Sequence, residues 1–307
     1  MIALVPVLLA LGCSGPEPGP PDPGFSAASS TSADRATASP GNPDADLPES
    51  VTRTGPYHPV GPATFTDDPD YYDDGCRFLA VATTPPAPGT CHYGVSGGTL
   101  VAIVGDSKIG QWMPALQRIA AVENWELLFY SRSSCAFATE GVTDSCASFA
   151  GKVFARLRDQ DRPRLVFVSH IARSDPVVAS ETDQLTQLHK SAGTRAVVVE
   201  DTIQPGRESV PACLAAASDY WLDCAVRKND GSGTPGLRQV AAAVPDARLI
   251  SMNDIICPTA TQCPAVLNRI ALYRAGSHLT RTFVDAVAPI LHQRLIDAEV
   301  ASGPVLR

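Results

Sequence analysis

The sequence predicts an α/β fold of the doubly wound type, on the strength of three observations. Five short runs rich in Val, Ile and Leu alternate with stretches of helical periodicity. Alternation of this kind is typical of parallel strands joined by crossover helices. The chain has 307 residues, enough for one large domain, and shows no internal repeat. We therefore expect a three-layer α/β/α sandwich around a five-stranded parallel sheet.

The individual elements follow from the same patterns. The five predicted strands are residues 99–104, 126–130, 164–169, 195–200 and 247–252. Four predicted helices lie between them, at residues 111–122, 147–159, 180–192 and 237–243. A last helix is expected after residue 279, where Thr280 can cap it and four apolar side chains share one face: Phe283, Val287, Ile290 and Leu291.

The first 13 residues resemble a secretory signal. Residues 2–11 form an uncharged apolar run that is too short to cross a bilayer, which takes roughly 20 helical residues. Leu11, Gly12 and Cys13 resemble the lipobox of bacterial lipoproteins, in which the cysteine becomes the lipid attachment. The match departs from the pattern because no Lys or Arg precedes the run and Ala10 stands where Leu is usual. Two alternatives are therefore open, a cleaved signal peptide and the remnant of a longer membrane helix.

A polar segment separates this start from the predicted domain. Residues 14–55 consist mostly of Pro, Gly, Ser, Ala, Asp and Thr, with very few large apolar side chains. Such a composition cannot bury enough surface to offset the entropy of ordering it. We expect a disordered tether there, followed by one domain over residues 56–307.

Charge and cysteine content narrow the class of protein further. The formal net charge of −8 argues against nucleic-acid binding, because phosphate affinity depends on clustered Lys and Arg. Nine cysteines are typical of an exported protein. None of their spacings is that of a zinc site, so we expect neither a metal nor another cofactor. Apart from Cys13, four disulfides between sequence neighbours are the simplest pairing: Cys76 with Cys91, Cys135 with Cys146, Cys213 with Cys224, and Cys257 with Cys263.

Two polar segments lie where a doubly wound fold places its chemistry, beyond the carboxyl ends of the strands. Asp106 and Ser107 follow the first predicted strand directly, and a serine at such a turn can act as a nucleophile beside the free N–H groups of a helix start. His278 lies in a polar loop just before the last helix. It could take the proton of Ser107 as a general base. Taken singly, each segment is equally compatible with an ordinary turn or a solvated loop.

Together these segments resemble the SGNH, or GDSL-type, hydrolase superfamily, through Gly105-Asp106-Ser107, the following Gln111-Trp112, and a histidine before the last helix. More specifically, the chain is similar to the SGNH domain fused to bacterial membrane acyltransferases of type three. That likeness covers most of residues 70–290 and includes the cysteine positions and these segments: Asp74-Gly75-Cys76, Cys91-His92-Tyr93-Gly94, Ser133-Ser134-Cys135, Asp201-Thr202, Cys257-Pro258, Cys263-Pro264 and Tyr273-Arg274. The resemblance implies a flavodoxin-like fold and a serine esterase or O-acyltransferase.

The resemblance also exposes a missing group. Family members have an aspartate three residues before the histidine, and here that position is Ala275. Three readings stay open: Asp201 or Asp254 supplies a carboxylate from another loop, Ser107 and His278 act as a dyad, or the domain is catalytically silent.

Other site residues are assigned through the same resemblance. The backbone N–H of Ser107 is the expected oxyanion donor, and Ser169 or His170 is a candidate for the superfamily's missing asparagine. Lys108 stands where many relatives have histidine, and it would either bind an anionic substrate or be a solvated lysine at a helix start.

The predicted function is that of an exported serine esterase or O-acyltransferase acting on acyl esters of a cell-envelope glycan. The alternative is a weak or silent SGNH-fold module that binds glycan or works with a separate membrane acyltransferase. The expected location is outside the cytoplasm of a bacterium, with a lipid anchor in the membrane. No nucleic-acid partner is expected.

Overall fold

The structure is a computed structural model, and it describes residues 47–206 and 209–306. The predictions for the signal-like segment, for lipid attachment at Cys13 and for residues 14–46 of the tether lie outside the described residues. Within the described ranges, no helix has the length and apolar character needed to cross a membrane.

The strands alternate with helices along the chain. In chain order the strands are β1 (His92–Gly94), β2 (Thr99–Gly105), β3 (Trp125–Ser131), β4 (Leu165–Ser169), β5 (Arg195–Val199), β6 (Val226–Arg227), β7 (Arg248–Ile250), β8 (Gln262–Cys263), β9 (Val266–Leu267), β10 (Ile270–Ala271), β11 (Tyr273–Ala275) and β12 (His278–Leu279). The α-helices are α1 (Pro62–Phe65), α2 (Ser107–Gly110), α3 (Met113–Glu123), α4 (Asp144–Arg156), α5 (Asp175–Ala192), α6 (Val210–Ala216), α7 (Tyr220–Cys224), α8 (Thr234–Ala243), α9 (Asn253–Ile256), α10 (Arg281–Ala286) and α11 (Ala288–Asp297).

The central sheet confirms the predicted fold class. Among the described residues it has six strands in the order β1-β3-β2-β4-β5-β7. The five predicted strands are all present and pair in parallel, whereas the short edge strand β1, which was not predicted, pairs antiparallel with β3. The five parallel strands follow the flavodoxin-like order, whose switch point lies between β2 and β4. Ligands of such sheets bind beyond the strand ends at that point.

Helices cover both faces of the sheet and divide the core into two clusters. Val101 and Ile103 of β2 pack into one cluster, while Ala102 and Val104 pack into the other. Successive side chains of a strand point to opposite faces, so a strand buried on both sides is apolar throughout. This burial is the physical reason for the uninterrupted apolar runs in the sequence.

Four disulfides join the cysteines in the predicted neighbouring pairs. They connect Cys76 with Cys91, Cys135 with Cys146, Cys213 with Cys224, and Cys257 with Cys263. Each bridge closes a loop of 6 to 15 residues in sequence separation. Loops of this size gain about 2–3 kcal/mol of stability each in the chain-entropy model.

The structure differs from the predictions in two further places. The last helical segment is two helices, α10 and α11, because Pro289 in the first turn of α11 cannot donate a backbone hydrogen bond to the preceding turn. Ile290 is consequently 39% exposed rather than part of the buried face. Residues 47–55, expected to belong to the tether, pair with the chain around β9: Thr52 donates its N–H to the Val266 carbonyl at 3.1 Å. These bonds offset the entropy of ordering that segment.

Candidate active site

The turn after β2 presents Ser107 at the carboxyl end of the sheet. Gly105 ends the strand with a φ of 114°, and a Cβ atom there would lie 2.4 Å from the Ser169 carbonyl oxygen. Only glycine fits this left-handed and crowded position. Asp106 is the N-cap of α2 and accepts the Lys108 N–H at 2.9 Å. The nucleophile candidate is therefore the first residue of a short helix.

Asp106 also fixes this turn to the loop after β4. Its second carboxylate oxygen accepts the Ile171 N–H at 3.1 Å and the Arg173 Nη2 at 2.5 Å. The side chain is buried, and three donors satisfy its negative charge. Asp106 thus holds the Ser107 turn in place, and Arg173, which sequence reasoning missed, is its counter-ion.

His278 reaches Ser107 from a separate segment of the chain. It lies in β12, in a hairpin with β11, and its Nε2 atom is 2.8 Å from the Ser107 Oγ. Both residues are partly exposed. The two candidates separated by 171 positions in the sequence therefore form a hydrogen-bonded pair open to substrate.

A backbone carbonyl stands behind the histidine, on the side away from Ser107. The Nδ1 atom of His278 lies 3.2 Å from the Ala275 carbonyl oxygen. Since a carbonyl only accepts, this contact places the ring proton on Nδ1 and leaves Nε2 free to accept from Ser107. The carbonyl therefore sets the tautomer but offers no full negative charge to an imidazolium.

Neither of the two carboxylates considered as replacements takes that place. Asp254 binds Arg294 through both oxygens, at 2.8 and 2.6 Å. Asp201 faces Lys108, with 3.0 Å between the Lys108 Nζ and the Asp201 Oδ1. Its other oxygen accepts from Gln204 and Gly233. Neither carboxylate therefore replaces the missing acid, because the group that contacts the His278 Nδ1 is the Ala275 carbonyl.

Both interpretations of Lys108 also need correction. The side chain is 2% exposed, so it is neither solvated nor available to a substrate anion. Its ammonium lies 3.0 Å from Asp201, the Thr202 hydroxyl and the Ser277 carbonyl. Burial lowers the pKa of Lys108, an effect that the Asp201 carboxylate opposes. Lys108 is a buried ion-pair partner beneath the dyad.

The expectation of a side-chain oxyanion donor after β4 is likewise wrong. Ser169 and His170 are both fully buried, so neither can reach a bound acyl group. His170 Nε2 lies 2.9 Å from Glu181 Oε2. Burial by itself lowers the pKa of His170, but the Glu181 carboxylate outweighs it and the net shift is upward. The backbone N–H of Ser107 has no partner in the described part of the chain.

Three polar residues that the sequence analysis quoted only as parts of the family resemblance, without giving them a role, hold the two segments of the site together. Gln111 accepts the Leu279 N–H at 3.0 Å, on the side of His278 opposite to Ser277. Thr202 accepts from Lys108, and buried Arg274 donates to the Leu279 carbonyl at 3.2 Å. Their place in the segments Gln111-Trp112, Asp201-Thr202 and Tyr273-Arg274 was the sequence signal that pointed to them.

The surroundings of His278 favour its neutral form. Burial is the largest cause, and the positive charges of Arg274 and Lys108 act in the same direction, whereas Asp201 opposes them. Together they lower the pKa of His278 from 6.5 to about 4. At neutral pH the imidazole is therefore uncharged and able to accept the Ser107 proton.

This low value predicts an unusual pH profile. Because the base acts in its neutral form, kcat/KM for an acyl ester should stay constant as the pH falls through 6.5 and drop only near pH 4. The measurement is the initial rate of acetate release from pH 3.5 to 8, with circular dichroism to show that the protein stays folded. An acidic limb centred near 6.5 would contradict the prediction.

A serine and a histidine in hydrogen-bond contact at the switch point of a parallel sheet, beside a free helix N–H, define an esterase-type or acyl-transfer module. The family model described as "SGNH domain (fused to AT3 domains)" matches residues 75–293. The chain belongs to this family.

The chain is similar in fold to several solved structures. One of them is the periplasmic domain of the lipopolysaccharide acetyltransferase of Salmonella ser. Paratyphi A, with a TM-score of 0.51 and 11% sequence identity. The match covers 66% of this chain and 84% of that domain. No curated protein matches the chain.

Proposed function

We propose that the protein is an exported serine esterase or O-acyltransferase that acts on acyl esters of a cell-envelope glycan. The observation that carries this proposal is the 2.8 Å contact between the Ser107 Oγ and the His278 Nε2. The family and the structural neighbour, a lipopolysaccharide acetyltransferase domain, support acyl transfer. The four disulfides and the periplasmic origin of that neighbour support a place outside the cytoplasm.

The proposed reaction runs through an acyl-enzyme. The Ser107 Oγ attacks the ester carbonyl while its proton passes to the His278 Nε2, and the Ser107 N–H binds the oxyanion. The intermediate collapses, and the leaving alcohol takes the proton from His278. Water or a sugar hydroxyl then gives its proton to His278 and attacks the acyl carbonyl. Collapse of this second intermediate breaks the bond to the Ser107 Oγ, which takes the proton back from His278, and releases the acid or the new ester. No step uses a metal or another cofactor.

A polar cleft, which Ser107 and His278 do not line and whose Arg173 is paired with Asp106, favours a carbohydrate ligand. Its volume is about 260 Å³, and the loops after β3 and β4 line it with hydroxyl groups and one guanidinium: Ser134, Thr143, Ser174 and Arg173. These loops leave the same edge of the sheet as the Ser107 turn. Hydroxyl and guanidinium groups bind sugar hydroxyls and acidic sugars through directional hydrogen bonds. Lipid attachment at Cys13 would bring this cleft to the membrane surface, where a separate acyltransferase could supply the acyl group.

The test of the proposal is covalent labelling together with ester turnover. Purified protein should react with a fluorophosphonate probe at Ser107, identified by peptide mass spectrometry, and should release acetate from an O-acetylated polysaccharide. Pre-labelled protein serves as the control and should release none. Absence of both labelling and turnover would reject the proposal.

The second candidate function is a non-catalytic glycan-binding module, and the carbonyl that replaces a carboxylate behind His278 favours it. Such a module would bind cell-wall polysaccharide without any fluorophosphonate label at Ser107. Strong labelling would reject this alternative.

A further inference from the structure

Ser107 and His278 lie on separate segments, and two backbone contacts join these segments on either side of the histidine. The Lys108 ammonium binds the Ser277 carbonyl at 3.0 Å, and Gln111 accepts the Leu279 N–H at 3.0 Å. Lys108 and Gln111 both belong to the turn that presents Ser107. The histidine segment is therefore fastened, one residue before and one residue after His278, to the turn that carries its partner.

Lys108 differs from Gln111 because it carries a full charge into the interior. Asp201 is fully buried opposite it, and the amide of Gln204 and the Gly233 N–H hold the second oxygen of that carboxylate. A buried ion pair costs desolvation, so it is a weak explanation of stability by itself. An apolar pair of the same volume would fill this space without that cost. The pair calls for another explanation, and its contact with the histidine segment provides one.

We propose that Lys108 is a positioning residue of the dyad: its buried ammonium, held by Asp201, fixes the Ser277 carbonyl and thereby the segment from which His278 reaches Ser107. This inference rests on the proposed function and assigns a role within the same site. Lys108 is adjacent to Ser107 in the chain, but its side chain is buried away from the surface that a substrate would reach.

The ion pair also acts on the charge of the base. The charged groups that face His278 are Arg274 from β11, Lys108 from α2 and Asp201 from the loop after β5. Lys108 repels a proton on His278, and Asp201 attracts one more weakly. Loss of Lys108 should therefore raise the pKa of His278 toward its ordinary value, a change that a purely structural role would not produce.

The test compares Lys108→Met with Lys152→Met in the purified full-length protein. Lys152, on α4, also donates to a backbone carbonyl, that of Thr83 at 2.9 Å, but this hydrogen bond is exposed to solvent. Lys108→Met keeps the apolar stem and removes the ammonium. A second variant, Lys108→Met with Asp201→Asn, removes both charges in case the unpaired carboxylate prevents folding.

Two readouts are needed. The first is the rate of fluorophosphonate labelling at Ser107, which should fall on the order of 10-fold to 100-fold in Lys108→Met, the range expected for a small misplacement of reacting groups. The second is the titration of the His278 ring by NMR, assigned with a His278→Gln spectrum, whose midpoint should rise from about 4. Lys152→Met should match the wild type in both.

The possible outcomes separate the two proposals. Wild-type labelling and an unchanged His278 titration in a folded Lys108→Met or double variant would overturn the role of Lys108. Failure of both variants to fold would also overturn it, because the pair would then hold the fold rather than the dyad. If the wild type shows neither labelling at Ser107 nor ester turnover, the proposed function fails, and the NMR titration still decides whether Lys108 acts on His278.

Discussion

Replacing Ala275 with aspartate should raise the rate of ester turnover by on the order of 10² to 10⁴. In serine proteases with a Ser-His-Asp triad, loss of the aspartate lowers kcat about 10⁴-fold, partly because the histidine adopts the wrong tautomer. The Ala275 carbonyl already selects the right tautomer here. The aspartate would add only negative charge beside the imidazolium that forms when Ser107 attacks. The rate of ester turnover should therefore rise by less than about 10⁴-fold.

The hairpin places position 275 correctly for this substitution. Ala275 and His278 are direct cross-strand partners in the pair formed by β11 and β12. The Cβ atoms of such partners lie about 4.5–5.5 Å apart on the same face, which is within reach of a carboxylate and a ring nitrogen. Ala275 is exposed, so an aspartate there carries no burial cost.

Ala275→Asn is the matched control, since asparagine has the same shape without the charge. It should give no increase, and its amide can even stabilise the wrong tautomer. Ala275→Asp should also move the acidic limb of the pH profile upward from about 4, because a nearby carboxylate favours the protonated ring. Equal rates for the aspartate and asparagine variants would show that the missing charge does not limit the protein.

Replacing Ser107 with alanine should lower turnover by about 10²-fold or more. In subtilisin, loss of the nucleophile lowers kcat about 2 × 10⁶-fold, and loss of the aspartate alone lowers it about 3 × 10⁴-fold. The ratio of these two losses is roughly 10², and this is the rate enhancement that still depends on the serine once the acid is absent. In a protein that already carries Ala275→Asp, the Ser107→Ala change should therefore lower turnover by a much larger factor than it does in the wild type. The effects of the two substitutions are coupled because both act on one transition state.

The measurement is kcat for a nitrophenyl ester in four proteins: the wild type, each single variant and the double variant. Ser148→Ala, a serine of α4 bonded to the Thr83 carbonyl, is the matched control and should keep the wild-type rate. A Ser107→Ala protein as fast as the wild type would show that turnover occurs elsewhere on the chain.

The sequence predicted secondary structure best where the pattern of apolar residues reflects how the element is buried. The parallel strands were predictable because each is buried on both faces and so reads as an apolar run, as β2 does from Val101 to Val104. Strand β1 was missed because three residues at a sheet edge carry no such run. The break before α11 was present in the sequence as Pro289, and it could have been predicted from the missing N–H.

The site was predictable in its chemistry but not in its ion pairs. Ser107 and His278 each lie beside a recognisable turn, and contacts of Lys108 and Gln111 with the histidine segment hold the two together. The partner of Lys108 could not be predicted, since Asp201 is one of many carboxylates in the chain and lies 93 positions away in sequence. Burial of a charge is decided by tertiary packing, and a lysine at a helix start looks the same in the sequence whether it is solvated or buried.

The most direct test of the central claim is to look for the acyl-enzyme itself. The protein is mixed with nitrophenyl acetate, quenched in acid during turnover, digested and examined by mass spectrometry. We expect an acetyl group on the Ser107 hydroxyl in the wild type, and no acetyl on the corresponding peptide of Ser107→Ala. Turnover with an unmodified Ser107, or with the acetyl group on another residue, would contradict the assignment of Ser107 and His278 as the acyl-transfer dyad.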